Sequence, residues 1–422
     1  MNITLPYGES TLTVTVPDEN LIKVGYTSEL KGIKDTQAKV IEHLRNPIGN
    51  HRLSCLINRG DKVAVITDDY TRPCPDDILL PPILKELRRE GVKRDDITII
   101  CATGLHPPIP GRLKEIVGKE VLEEYDVLYH DAKKSETVSF GETSWGVPIR
   151  VNKIVAEADF KISTGFIEPH FFAGFSGGRK SIMPGLSARE SIYGNHSYRM
   201  LNNPNARAGI LEGNPVHEDS VEHAQAIGLD FIINVILNRD KEIVKIVAGD
   251  FLKAHEKGVM LDREVVEVKF GQKADITITT NNGYPLDLNL YQSVKGMDTA
   301  SVITRNGGYI ILASECRDGV GPDGFLKIHR EARSPEEVLK TIMKEEPLEA
   351  QWENQVLARI QRDKEIYLVS GLKDQVVEDF MIKPADSVES AIEEALRKTG
   401  RKAKIAVIPE GPVALPILEN SS

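Results

Sequence analysis

The sequence predicts an α/β fold with two Rossmann-like domains, mostly parallel sheets and an active site in the cleft between the domains. Short β-branched runs alternate with helical patterns along the chain, which is typical of parallel sheets covered by helices. The chain has 422 residues and 41% hydrophobic content, which is enough for two or three domains with packed cores.

The predicted strands are runs rich in Val, Ile and Thr that end in turn residues. They cover 62–67, 96–104, 159–165, 275–280, 308–314, 365–370 and 404–409. Residues 79–91 and 387–400 carry apolar side chains at three- and four-residue spacing and end at glycine. This pattern predicts amphipathic helices with glycine C-caps.

A helix-like, charged stretch from Phe251 to about Val268 precedes a new strand at Asp275. Such a stretch is typical of a connector between two α/β units. We therefore predict an N-terminal domain at 1–270 and a C-terminal domain at 271–409. The sequence leaves open whether residues 410–422 return to pack on the first domain.

Composition excludes several classes of partner. Lys and Arg total 53 against 63 Asp and Glu, so the net charge is -10, and no long basic run is present to bind a nucleic acid. Apolar stretches fall short of the ~20 residues of a membrane helix, and no charged-then-apolar leader opens the chain. The four cysteines are widely spaced, which predicts neither disulfides nor a zinc knuckle. We expect a cytoplasmic protein that binds neither nucleic acid nor membranes.

Ligands of open α/β sheets bind at the carboxyl ends of strands, so the loops there are the first candidates for a site. The loop after 62–67 joins acidic, hydroxyl and guanidinium groups between prolines: Asp69, Tyr70, Thr71 and Arg72. This loop can hold an anion rigidly. Capping of a helix N-terminus, with a local Arg–Asp pair, explains the same residues.

Two further loops carry histidines. His106 follows the strand at 96–104, where an imidazole can act as acid or base or simply form a structural hydrogen bond. The loop at 164–181 contains His170, Ser176, Gly177, Gly178 and Lys180. Its glycines allow backbone N–H groups to cradle a phosphate, and a helix starting near Lys180 would add its positive end. Arg179 stands where a Walker A loop requires glycine, so this is a different loop.

Isolated polar residues lie further along the chain. His196 can complete the coordination of a square-planar metal, but one imidazole cannot hold a metal by itself. Gln292 and Lys295 share one helix face, which is also the pattern of an ordinary solvated helix.

These residues leave several reactions open, because three histidines can form a zinc site and a phosphate-binding loop suits a transferase. One further reaction is inversion of a 2-hydroxy acid, whose Cα–H is too weakly acidic for direct removal by histidine. Temporary oxidation to a planar 2-oxo acid solves this, and two imidazoles on opposite sides can then serve the two enantiomers. No G-x-G-x-x-G follows a strand, so the sequence gives little support to an ordinary dinucleotide site.

Five ordered motifs resemble those of the nickel-dependent lactate racemase family, the 2-hydroxy-acid racemases and epimerases that use a nickel-pincer nucleotide. The motifs extend over nearly the whole chain: Asp68 to Pro73, Thr103 to His106, Glu168 to Lys180, Gly194 to His196, and Tyr291 to Gly296. Their joint occurrence is far more specific than any single motif.

The resemblance implies a role for each residue. It implies that Lys180 is joined through a thioamide to the cofactor, a pyridinium mononucleotide with two sulfur-containing arms, and that His196 binds its nickel. It implies that His106 and His170 are the acid/base pair. The implied cofactor-binding residues are Asp69, Tyr70, Thr71, Arg72, Ser176, Gly177 and Gly178, and the implied substrate-binding residues are Arg72, Tyr291, Gln292 and Lys295.

The expected function is therefore racemisation or epimerisation of a small 2-hydroxy carboxylate, with lactate as the default, by reversible hydride transfer to the tethered nickel-pincer nucleotide. Proteins that make and load this cofactor are the expected partners. Two alternatives stay open at this point. One is a zinc-dependent hydrolase or lyase with His106, His170 and His196 as ligands, and the other is a non-catalytic carrier of the nickel nucleotide.

Overall fold

The computed structural model describes residues 1–344, 347–348 and 350–419. In this part of the chain the strands, β1 to β20 in order, are Asn2–Tyr7, Ser10–Thr15, Leu21–Val24, Val63–Thr67, Ile97–Cys101, Asp126–Tyr129, Thr137–Glu142, Pro148–Asn152, Phe160–Phe166, Pro169–His170, Gly174–Phe175, Phe231–Leu237, Ile243–Gly249, Glu267–Phe270, Ala274–Thr280, Thr304–Ala313, Lys364–Val369, Lys383–Pro384, Ile405–Ile408 and Leu415–Leu418.

The α-helices, α1 to α16 in order, are Thr36–Arg45, Leu53–Leu56, Asp76–Arg89, Leu113–Val117, Lys119–Glu124, Lys153–Ala156, Arg189–Asn195, Tyr198–Leu201, Pro215–Ile227, Lys253–Val266, Leu290–Ile303, Asp323–Glu331, Pro335–Lys344, Gln351–Gln361, Asp374–Glu378 and Val388–Thr399. Short 3₁₀ helices cover Arg94–Asp96, Pro110–Arg112, Gly178–Ser181 and Gly411–Val413. None of the described helices is both long and apolar enough to span a membrane.

The first large sheet has the strand order β13-β12-β9-β4-β5-β6. Its strands are parallel except for β13, which pairs antiparallel with β12. Every residue of β4 and β9 is buried, as expected for central parallel strands with helices on both faces. Because β9, β4 and β5 are neighbours, the loops that follow them leave the sheet side by side.

The second large sheet has the order β18-β17-β16-β15-β19-β3 and is parallel throughout. The sequence-predicted strands correspond to β4, β5, β9, β15, β16, β17 and β19. The predicted α/β class with mostly parallel sheets is therefore confirmed.

The two ends of the described chain pack on different parts of the molecule. Residues of β3 add a strand to the second sheet, and Ile3 and Leu5 of β1 pack into the core that contains Ile276 and Ile278. The N-terminal residues, which were predicted to belong to the 1–270 domain, therefore pack with the second half of the molecule. Near the other end, β20 pairs in parallel with β14. The boundary near residue 270 stays a prediction, and residues 420–422 of the predicted 410–422 segment lie outside the described residues.

Two helices show how local sequence positions the site. Asn214 caps α9 by accepting hydrogen bonds from the Val216 and His217 amides, and Gly228 ends the helix in the left-handed region. The helix-like stretch from Phe251 forms α10, which packs against β12 and β13. Both helices border the loop that follows β9, and this loop carries His170 and Lys180.

Candidate active site

The loop after β4 and the loop after β5 meet at one hydrogen-bonded cluster. Nδ1 of His106 donates to Oδ2 of Asp69 at 2.6 Å, and Oδ1 of Asp69 accepts from the amide and the hydroxyl of Thr71 at 3.0 and 2.6 Å. Arg72 donates to the Thr71 hydroxyl at 3.3 Å. The His106 side chain is 37% exposed, whereas the Asp69 side chain is 2% exposed. Asp69 therefore fixes the ring of His106 and leaves its Nε2 facing outward from the pair.

The charge on Asp69 is secured by its partners. Burial opposes ionisation, but His106, Arg72 and the hydrogen bond from Thr71 outweigh it and lower the pKa of Asp69 to about 2. The carboxylate is thus ionised at neutral pH and keeps the proton of His106 on Nδ1.

The loop after β9 gathers polar residues around the ring of Phe172. The ring centroids of His170 and His196 lie 4.6 and 4.9 Å from that of Phe172, and Nζ of Lys180 lies 6.0 Å from it. The ring of Trp352 meets His196 edge-on at 5.2 Å. Residues that are distant in sequence are therefore brought together at one aromatic surface.

Lys180 is a buried amine in this cluster. Burial, followed by the positive charges of Arg179 and Arg72, holds the pKa of Lys180 well below its usual range. Arg179 is itself 1% exposed and donates to the carbonyls of Ala173, Ser176 and Gly177. Burial therefore favours the neutral, nucleophilic form of this amine.

His170 is also kept neutral, for the same reason. Burial and the charges of Lys180, Lys295 and Arg72 hold its pKa well below the usual value. The amide of Ala173 donates to Nδ1 of His170 at 3.3 Å, so the proton of the neutral ring lies on Nε2.

His196 is oriented as a metal ligand would be. Its Nδ1 donates to Oδ1 of Asn195 at 2.8 Å, and the amide nitrogen of Asn195 donates in turn to Asp219 at 2.6 Å. This chain of hydrogen bonds leaves the lone pair on Nε2. Burial, and then the charge of Lys180, lower the pKa of His196 to about 3. The neutral imidazole of His196 and the desolvated amine of Lys180 both fit a metal-bearing group tethered at this position.

The second half of the chain contributes α11. Nζ of Lys295 donates to Oε1 of Gln292 at 2.7 Å and lies 5.8 Å from the ring of Phe171 in the loop after β9. The predicted shared helix face is therefore present, and it points to the cleft. The hydroxyl of Tyr291 accepts a hydrogen bond from Nε1 of Trp352 at 2.8 Å, which links α11 to α14.

A cavity of about 280 Å³ lies in this cleft. Arg72, His170 and Ser176 line it from the first half of the chain, and Tyr284 and Lys295 line it from the second. Such a space, mixed in polarity and placed between two domains, is typical of a small-molecule site.

The glycine turn differs in part from the predicted phosphate cradle. Gly177 and Gly178 have φ of 76° and 54°, which favours glycine. However, the amide of Gly178 donates to Oδ1 of Asn234 at 2.7 Å, and the helix at Gly178–Ser181 is a 3₁₀ turn of four residues. The predicted helix near Lys180 is therefore too short to supply a helix dipole, because it is only one turn long.

Several residues of this region were not predicted from the sequence. Trp352 and Glu353 lie on α14, Asp262 lies on α10, and Asn195 orients His196. A buried polar residue in an amphipathic helix gives no signal of its own before the packing is known. Of these four residues, only Asn195 belongs to one of the five sequence motifs.

The three-histidine zinc hypothesis gains no support from the geometry. Within the described ranges, no group of three or more His, Cys, Asp or Glu side chains is placed to hold a metal ion. Nδ1 of His106 is engaged by Asp69, while the rings of His170 and His196 each contact the ring of Phe172.

Comparisons with known proteins cover both halves of the chain. A family model described as the lactate racemase N-terminal domain matches residues 7–209, and one described as the lactate racemase C-terminal domain matches residues 270–415. Lactate racemases from Thermoanaerobacterium thermosaccharolyticum and Lactiplantibacillus plantarum are 39% and 38% identical over 418 residues, covering 97% of this chain and 98% of each relative.

Solved structures agree with this similarity. The lactate racemase apoprotein from T. thermosaccharolyticum superposes with a TM-score of 0.94 at 38% identity and covers 99% of this chain and 100% of that one. A protein from Thermotoga maritima has a TM-score of 0.69 at 18% identity, over 93% of this chain and 100% of that one, which indicates a shared fold only.

Two Rossmann-like halves around one polar cleft are the architecture of an α/β enzyme with its active site between domains. Because similarity at 38–39% identity extends over nearly the full chain, the chain belongs to the lactate racemase family and is an isomerase. The predicted family and enzyme class are confirmed.

Proposed function

We propose that the chain interconverts the two enantiomers of lactate, or of a similarly small 2-hydroxy carboxylate, with a nickel-pincer nucleotide as its cofactor. The observation that carries the proposal is the arrangement around Phe172, where the desolvated Lys180, the neutral His196 and His170 share one buried surface. The names of the relatives indicate lactate as the substrate.

Lys180 would tether the cofactor and His196 would bind its nickel. When bound, this group would supply a reversible hydride acceptor for the C2 hydrogen of the substrate. A neutral amine is required for acylation-type chemistry at Lys180, and a free lone pair is required at Nε2 of His196. The electrostatics of both residues support these roles.

Arg72 and Lys295 would bind the substrate carboxylate across the cleft. Both side chains line the cavity. The guanidinium of Arg72 and the ammonium of Lys295 can each donate charge-assisted hydrogen bonds to a carboxylate. Gln292 holds the ammonium of Lys295 at 2.7 Å and so fixes its direction. With Tyr291 on the same helix, α11 would orient the substrate from the second domain.

His106 and His170 would move the proton of the substrate hydroxyl. His106 keeps Nε2 available as a base because Asp69 holds the proton on Nδ1. His170 is also neutral, and with its own proton moved to Nδ1 its Nε2 would take the hydroxyl proton of the other enantiomer and return it to the 2-oxo oxygen. The rings of Phe171, Phe172 and Trp352 would exclude water from the planar 2-oxo acid.

Intact-mass analysis of protein expressed in a host that makes the cofactor tests the tether. We expect a single covalent adduct on the wild-type chain and none on Lys180→Ala, while the control Lys241→Ala retains it. Lys241 also lines the cavity but lies at an exposed turn. An unmodified wild-type chain, or an adduct and visible spectrum that survive in Lys180→Ala, contradicts the proposal.

Assays of the loaded protein with each lactate enantiomer separate an enzyme from a carrier. A racemase forms the other enantiomer from either starting compound, whereas a nickel-nucleotide carrier forms neither. Metal analysis adds a second test, since a zinc enzyme would contain about one zinc per chain and no sulfur chromophore. Loading by cofactor-biosynthesis proteins and a cytoplasmic location belong to the same proposal.

A further inference from the structure

Asp262 lines the cavity and carries an unpaired carboxyl oxygen. The residue lies on α10, is 1% exposed and lines the cavity. Its Oδ2 is buried and has no hydrogen-bond partner within the described part of the chain. Buried polar atoms in native proteins nearly always have a partner, so this atom calls for one that the chain itself does not supply.

A glycine brings Asp262 to this position. A Cβ added to Gly258 would lie 2.2 Å from Cδ1 of Ile167, in the segment that follows β9. Glycine at 258 therefore allows α10 to pack closely against that segment. Asp262 is one helical turn further along the same face, so its side chain reaches the cavity beside the site loop.

The surroundings determine the protonation state of the carboxyl. Burial, and then the nearby charge of Glu168, hold the pKa of Asp262 well above its usual range. Glu168 lines the same cavity, and burial raises its pKa despite the opposing charges of Arg72 and Lys295. A protonated carboxyl both donates and accepts a hydrogen bond, which suits a neutral hydroxyl group. A phosphate at the same place would meet two acidic side chains.

His170, Ser176, Lys295 and Asp262 line the same cavity. His170 also lies beside Lys180, so the sugar of a mononucleotide tethered at Lys180 would enter this space. We propose that Asp262 binds a hydroxyl group of the nucleotide ribose, an assignment that rests on the proposed nucleotide cofactor. The unpaired oxygen then receives its partner from the ligand.

Titration calorimetry on the full-length, cofactor-free protein tests this assignment. The probes are nicotinic acid mononucleotide, which is a pyridinium ribonucleotide, and its 2′,3′-dideoxyribose analogue. We expect the wild-type chain to bind the ribose form about tenfold more tightly, as one or two buried hydrogen bonds allow. In Asp262→Leu this preference should disappear, and in the control Glu264→Leu, on the exposed face of α10, it should remain.

Thermal unfolding separates binding from a structural role. Removal of an unpaired buried carboxyl should leave the Tm of Asp262→Leu equal to or above that of the wild type. If leucine prevents folding, Asp262→Asn provides the same comparison, with an expected partial loss of the preference. Three outcomes would overturn the assignment. The wild type could bind both probes equally, it could bind neither probe, or the folded variant could keep the full preference for the ribose form. The intact-mass test for a covalent adduct at Lys180 checks the proposed function independently of these results.

Discussion

The loop after β5 and the loop after β9 each present one histidine to the cleft, but their electrostatic surroundings are opposite. His106 is partly exposed and paired with the ionised Asp69. His170 is buried among Lys180, Lys295 and Arg72, and a backbone amide occupies its Nδ1. In the free protein, Nε2 of His106 is therefore a hydrogen-bond acceptor, whereas Nε2 of His170 is a hydrogen-bond donor. Two chemically identical side chains thus present opposite tautomers to the substrate.

The largest expected effect comes from removing either histidine in the loaded enzyme. His106→Asn and His170→Asn should each slow racemisation roughly 10²- to 10⁴-fold, the usual contribution of a positioned acid or base. Acid quenching after mixing with a single enantiomer then measures the 2-oxo acid that is formed. We expect each variant to oxidise only one enantiomer, and opposite ones. If both variants lose the same enantiomer, the two histidines do not act on opposite sides of the substrate.

A smaller loss is expected from Asp69→Asn, which leaves His106 in place. Without the carboxylate, Nδ1 of His106 is no longer held in its protonated form, so kcat should fall by roughly 10²-fold, the low end for acid/base catalysis. Racemisation rates of loaded protein check this. Asp77→Asn, at the exposed start of α3, is the matched control and should have wild-type activity. Equal activity of the two variants would show that Asp69 does not orient the histidine.

The contrast between the two loops also explains what the sequence could predict. The strands β4, β5 and β9 were predictable because central parallel strands are continuous β-branched runs, and ligand residues follow their carboxyl ends. The hairpin β7–β8 was missed, since β7 is mostly exposed and has no buried alternation. Trp352 and Glu353 were missed for another reason. They reach the site only because α14 packs on α11, and no local pattern records that contact.

Stability in acid tests whether burial keeps histidines of this protein uncharged. Burial lowers the pKa of His196 and His217 to about 3 and that of His329 to about 4. Because these folded-state values lie below the unfolded value of about 6.5, protonation favours the unfolded chain. Stability is therefore complete above pH 6.5 and decreases as the pH falls towards 3.

Differential scanning calorimetry of the cofactor-free protein between pH 7 and 4 measures this loss. We expect His196→Asn to reduce the fall in Tm, by about 1–2 °C for each kcal/mol of the proton linkage removed. His43→Asn, at a partly exposed position on α1, should leave the fall unchanged. The same acid loss in His196→Asn and wild type would mean that His196 is not held neutral by the fold.

The smallest effect is expected at Glu353, which influences substrate binding only through the charge of Lys295. Burial, only partly offset by Lys295, raises the pKa of Glu353 to about 8, and burial lowers the pKa of Lys295 to about 8. At pH 7 the carboxyl is largely protonated, so Glu353→Gln should change the KM for lactate by less than about threefold.

Above pH 7 the variant and the wild type should diverge. As Glu353 ionises, its negative charge helps Lys295 to keep the proton that binds the substrate carboxylate, and glutamine cannot provide this support. The rise of KM with pH should therefore begin at a lower pH in Glu353→Gln, while kcat follows the wild-type profile. KM and kcat measured from pH 6 to 9.5 test this. Superimposable KM profiles would mean that Lys295 holds its charge without Glu353.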